Sequence, residues 1–137
     1  MSVETSKTVL KVIGIINIIG GVLLSVLGLI SVAGGGLIAT VDNTADTEGA
    51  AAIVVVAGVV LLILGIITLL EGIFSVRAAK DSTKIMPAWI FAIIGVIAAV
   101  VGLFTGGSLP SAIFSLIVNI VIFTAANKIR KSNALNR

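Results

Sequence analysis

Glu71 is the sole ionisable residue set well inside an apolar run, Thr68-Leu69-Leu70-Glu71-Gly72-Ile73. A carboxylate at membrane depth is costly, and such a residue is a functional candidate by default, able to hold a proton or a cation. It lies roughly 9 Å along a helix axis from Arg77, toward one end of its run and away from the middle. The bland alternative is a structural ion pair with Lys11, and a third option is a protonated Glu71 bonded to Asn17 or a backbone carbonyl. Asn17 and Asn119 are the other polar groups deep in apolar segments. Their expected role is hydrogen bonding between helices, worth on the order of 0.6–2 kcal/mol each. Ser25, Ser31, Thr68 and Ser115 can bond their own helix backbones and need no further role.

The chemistry these residues could support is narrow. The chain has no His, Cys or Tyr, which removes the commonest general base, thiolate chemistry and any disulfide. There is no G-x-S-x-G, no H-E-x-x-H and no phosphate loop. The expectation is therefore a protein that is not an enzyme and carries no cofactor or metal. The acidic stretch Asp42-Asn43-Thr44-Ala45-Asp46-Thr47-Glu48 lacks the glycine and the distal glutamate of an EF-hand loop, and reads as a solvated connector.

What must position these residues is a set of helices in lipid. The 137-residue chain is 58% hydrophobic and 11% charged, with a mean hydropathy of +1.29. Soluble domains carry about 25% charged residues. Four apolar segments, at about 9–39, 50–76, 87–104 and 110–126, are each near or above the roughly 20 residues that span a bilayer. Pro87 and Pro110 stand at segment starts, where a missing N–H costs nothing. The first segment is too long for a signal peptide's apolar region and is read as a retained helix.

Charge sets the expected orientation. Lys7 and Lys11 precede the first segment, and Lys128, Arg130, Lys131 and Arg137 follow the last; Arg77, Lys80 and Lys84 occupy the middle link. The first link holds Asp42, Asp46 and Glu48 and no cation. By the positive-inside rule both termini and the middle link are cytoplasmic. Topology thus accounts for the basic residues without nucleic acid. The same cations attract anionic lipid at about 1 kcal/mol each. Trp89 fits an interfacial anchor.

Glycine supplies the packing signal. Gly14, Gly21, Gly28 and Gly35 recur at seven-residue steps in the first segment; Gly58, Gly65 and Gly72 do so in the second, extended by Ala51 and Ala79. Each series forms one helix stripe that lets backbones approach closely in lipid. Antiparallel pairing aligns Gly14 with Gly72, Gly21 with Gly65, Gly28 with Gly58 and Gly35 with Ala51, all centred on position 43. Gly95 and Gly102 can align likewise with Gly72 and Gly65. They can also align with Asn119 and Ala112 of the fourth segment, whose seven-step runs on to Ala126. The expected fold is a single all-α domain over 1–137, an up-down-up-down bundle of four transmembrane helices. Gly21–Leu29 resembles Gly95–Leu103, as in a duplicated hairpin. The first hairpin is longer by about ten residues per helix, and its apolar excess calls for a partner surface.

Runs such as Val12-Ile13-Gly14-Ile15-Ile16 and Leu64-Gly65-Ile66-Ile67, with a short basic link, resemble small four-helix bacterial membrane proteins grouped as domains of unknown function. The resemblance is architectural and carries no site residue across. Small multidrug transporters also have four helices and one membrane glutamate, but theirs lies in the first helix. Tetraspanins and claudins share the helix count, but the cysteines of their outer loops are missing here. The leading expectation is a non-catalytic membrane protein that acts through helix packing. Its partners would be the bilayer and either further copies of itself or another membrane protein. The alternative is a pore or a cation- or proton-coupled transporter that uses Glu71.

Overall fold

The computed structural model describes residues 1–41, 45–104 and 109–136. Four helices follow in order: α1 (Val3–Val41), α2 (Ala45–Lys80), α3 (Ile85–Phe104) and α4 (Leu109–Leu135), with a short 3-10 turn at Ser82–Lys84 between α2 and α3. No strand occurs among the described residues. All four helices are long and apolar enough to cross a membrane. The acidic link at Asp42, Asn43 and Thr44 and the turn expected around Gly106 and Gly107 lie outside the described residues.

Local chemistry explains where the helices start and stop. Ser2 caps α1, its hydroxyl accepting the Thr5 N–H at 3.1 Å, and Glu4 adds an acid to the first turn. α2 opens with Asp46 and Glu48 in its first turn and closes with Arg77 and Lys80 in its last, the polarity that suits a helix dipole. Asp81 then leaves the helix in an extended conformation (φ −133°, ψ 98°) and caps the 3-10 turn by accepting the Thr83 N–H. Pro87 falls in the first turn of α3, where its missing N–H has no helical partner to lose.

The helices outrun the apolar segments that announce them. At 1.5 Å per residue α1 and α2 are about 58 and 54 Å long, and α3 and α4 about 30 and 40 Å. The largest extension is in α4, which continues through Asn127–Asn133 to Leu135 although hydropathy ends near residue 126. Its polar last turns still bury Ile129 completely, and that packing keeps the helix going.

Two compact units make up the chain. The first comprises Met1–Ile16 and Glu71–Arg137, and the second Asn17–Leu70. The first unit draws on all four helices. Its core is Leu10 from α1, Ala78 from α2, Ile85, Ala88 and Ala92 from α3, and Ile122, Ala125, Ala126 and Ile129 from α4. Five of these nine are alanine, so close helix approach takes the place of large side chains. Successive helices are antiparallel. Gly14 meets Gly72 across α1 and α2, Phe74 stacks on Phe91 at 5.4 Å across α2 and α3, and Gly95 meets Asn119 across α3 and α4.

The second unit is a hairpin packed backbone on backbone. A Cβ built on Gly21 would stand 2.5 Å from the Leu69 nitrogen and 2.8 Å from the Gly65 oxygen. On Gly28 it would stand 2.6 Å from the Leu62 nitrogen and 2.7 Å from the Gly58 oxygen. Gly58 faces Val32 and Ser31, and Gly65 faces Ser25, at comparable distances. Gly35 meets Ala51 and the Cγ2 of Val55. Large apolar residues face outward instead, Ile53 and Leu37 being 71% and 66% exposed. Small residues inside and large ones outside reverse the soluble pattern, and suit a surface solvated by lipid.

Candidate functional site

Glu71 lies on α2 one turn before Ser75, and both side chains are turned into the first unit. The Glu71 Oε1 and the Ser75 Oγ are buried without a hydrogen-bond partner. The pairing expected with Lys11 is not made. Among the described residues the ion pairs are Lys7 with Glu4 at 3.1 Å and Lys84 with Asp81 at 3.2 Å. The reason lies in the facing of α1. Leu10 is the residue turned fully into the core, and Lys11, one step round the helix, is exposed. Asn17 is half-buried on α1 and belongs to the second unit.

Asn119 also departs from expectation. Its amide donates to the carbonyl of Ser115 on its own helix at 2.8 Å and approaches the Ser115 hydroxyl at 3.4 Å. Both bonds of the amide nitrogen stay within α4, as short polar side chains commonly bond their own helix backbone. The amide oxygen is turned instead onto the backbone of Gly95, buried and without a donor. Gly95 therefore faces Asn119 across α3 and α4. At Gly102 no described atom of another segment lies within 4 Å of a Cβ position, so the close packing seen at Gly21 and Gly28 is not repeated there. Ser25 and Thr68 bond the carbonyls of Gly21 and Leu64 at 2.8 and 2.9 Å, within their own helices.

The best-built polar region is one that hydropathy does not mark. Arg130 places its guanidinium 4.1 Å from the centre of the Trp89 ring, and Phe123 packs on the same ring at 6.4 Å between centroids. Trp89 is half-buried, and its Nε1 is buried. Asn133 donates to the Ser82 carbonyl at 2.6 Å, tying the last turn of α4 to the link before α3. Beside that link a cavity of about 210 Å³ is lined by Phe74, Arg77, Lys84 and Pro87. Asp81 accepts from the Thr83 hydroxyl and N–H and pairs with Lys84, which holds its carboxyl below the ordinary 3.8.

Among the described residues no three of Asp, Glu, His and Cys gather as a metal site. The fold and these contacts define an all-α integral membrane protein of four apolar helices. No family model, curated protein or solved structure matches the chain.

Proposed function

We propose that this chain is a non-catalytic integral membrane protein that acts through helix packing, as a self-associating structural component or an accessory subunit of a membrane complex. The observation that carries the reading is how the second unit divides its glycines. Gly21, Gly28, Gly58 and Gly65 are used inside the hairpin, backbone against backbone. Gly20, Gly34 and Gly36 leave backbone open, with no described atom of another segment within 4 Å of their Cβ positions. Beside them lie exposed Ile19, Leu23, Leu27, Ile30 and Leu37. Open glycine among large apolar residues is the surface on which a further transmembrane helix packs. The absence of His, Cys and Tyr from the chain supports a non-catalytic role.

The deciding measurement is the mass and composition of the complex extracted with native lipid from the host membrane. A single-species oligomer supports self-assembly, and a reproducible second protein supports the accessory role. A monomer alone would sink both. Gly34→Leu should weaken the assembly while leaving the hairpin folded.

The second reading is cation or proton movement through Glu71, favoured by the buried Oε1 that has no partner. It predicts flux into liposomes by purified protein, lost in Glu71→Gln. Equal flux in the two proteins would remove Glu71 from any transport step.

The reading places the chain in a bacterial cytoplasmic membrane with both termini cytoplasmic. Its support is the resemblance in architecture to small bacterial membrane proteins and the gathering of every Lys and Arg at the termini and middle link. The chain has no native cysteine. Single cysteines at Ser2 and Thr47 should therefore label from opposite sides of sealed vesicles.

A further inference from the structure

We infer that the cavity lined by Phe74, Arg77, Lys84 and Pro87 seats the phosphate headgroup of an anionic phospholipid. Arg77 and Phe74 are three residues apart on α2, and Lys84 and Pro87 are three apart across the start of α3, so each element supplies one cation and one apolar residue about a turn away. The cations lie toward the charged link and the apolar pair toward the membrane-spanning part of each helix. That order matches a phospholipid at the interface, with its phosphate beside the cations and its glycerol and acyl chains alongside Phe74 and Pro87.

Size and charge narrow the occupant. At about 210 Å³ the cavity is several times the roughly 30 Å³ share of one water. It is smaller than the roughly 300–1,000 Å³ of pockets that enclose a whole small molecule. A headgroup held by one end, with its chains remaining in the bilayer, fits that range. Arg77 has no ion pair among the described residues, and Lys84 shares Asp81 at 3.2 Å. The neighbouring charges are therefore two cations against one carboxylate, an unbalanced positive field that favours a lipid with net negative charge. A zwitterionic lipid would bring its own ammonium toward Arg77 and Lys84. Basic pockets between transmembrane helices are a recurrent way of holding anionic headgroups.

The test is native mass spectrometry of the full-length protein titrated with phosphatidylglycerol, with phosphatidylethanolamine of the same chains, and with inorganic phosphate. Phosphatidylglycerol should bind preferentially. Arg77→Gln with Lys84→Gln should weaken it about thirtyfold, at roughly fivefold per cation. The control pair Lys128→Gln with Lys131→Gln removes the same charge from exposed sites on α4 and should change binding less than about twofold. Asp81→Asn retains an oxygen that can cap Thr83, frees Lys84 and should tighten binding several-fold, which tests the site independently should the Arg77/Lys84 variant fail to fold. Equal weakening by both double variants, no preference over phosphatidylethanolamine, inorganic phosphate binding as tightly as the lipid, or an Asp81→Asn protein that binds no tighter would each overturn the assignment.

Discussion

The guanidinium of Arg130 lies 4.1 Å from the centre of the Trp89 ring, joining the polar end of α4 to the first turns of α3. A cation over an indole face at this distance is worth about 0.5–2 kcal/mol, more as it is desolvated. A double-mutant cycle with Arg130→Gln and Trp89→Leu, read by unfolding in mixed micelles, should give a coupling in that range. Additive losses would mean that the two side chains are neighbours without attraction.

Asn133 continues the same junction through its bond to the Ser82 carbonyl. Asn133→Ala should lower stability by about 1 kcal/mol, the usual net value of one hydrogen bond. Amide exchange should accelerate in the last turn of α4 and leave the Gly21–Gly65 region unchanged. Uniform acceleration along the chain would argue against a local tie.

Gly20 and Gly21 are adjacent yet face opposite environments. Gly21→Ala forces a methyl to within 2.5 Å of the Leu69 nitrogen, so the two backbones must separate. We expect a loss of roughly 1–3 kcal/mol, the usual cost of overpacking. Gly20→Ala meets nothing within 4 Å and should be neutral to mildly stabilising in the isolated chain. Thermal unfolding of the two variants side by side would reveal a reversed order at once.

Glu71 carries a buried oxygen without a hydrogen-bond donor. A neutral isostere removes the cost of holding an ion there, so Glu71→Gln should be at least as stable as the parent. A fall of more than about 1 kcal/mol would instead reveal an interaction that the carboxylate makes and the amide cannot.

Asp81 gives the link its pH dependence. The Thr83 hydroxyl, Lys84 and the Thr83 N–H favour its charged form and lower its pKa in the folded link below 3.8. A depressed carboxyl pKa contributes stability that is fully present above the unfolded value and lost as pH falls through the folded one. The midpoint of the Thr83 amide shift should therefore lie below the ordinary 3.8. A midpoint above 3.8 would contradict the bonding described for Asp81.

Much of the fold was legible because lipid imposes a simple rule on composition. Four long apolar runs with prolines only at their starts can be little else than helices. Regular glycine spacing supplied the α1–α2 register, since Gly21–Gly65 and Gly28–Gly58 meet as aligned. The ends of the helices were less legible. Hydropathy stops near residue 126, whereas α4 runs on to Leu135 because Ile129, Arg130 and Asn133 each find a tertiary partner.

The candidate site was the least legible part. Glu71, Lys11, Asn17 and Asn119 stood out as polar residues in or near apolar runs, but depth along a helix says nothing of which way a side chain faces. Leu10 faces the core and Lys11 does not, so Glu71 has no ion pair among the described residues. Asn119 finds its acceptor one turn back on its own helix.

By itself, then, the sequence determined that the chain is helical, that four helices suit a membrane, and which glycines align. Hydropathy, proline position and a seven-residue period are local properties, and they need no knowledge of a partner. Only the tertiary structure decided which glycines are consumed within the chain and which stay open, where Arg130 and Asn133 attach, and that Arg77 and Lys84 share a cavity with Phe74 and Pro87. Those outcomes depend on the rotation of each helix about its axis. Rotation is set by all the packed neighbours together, and no single segment encodes it.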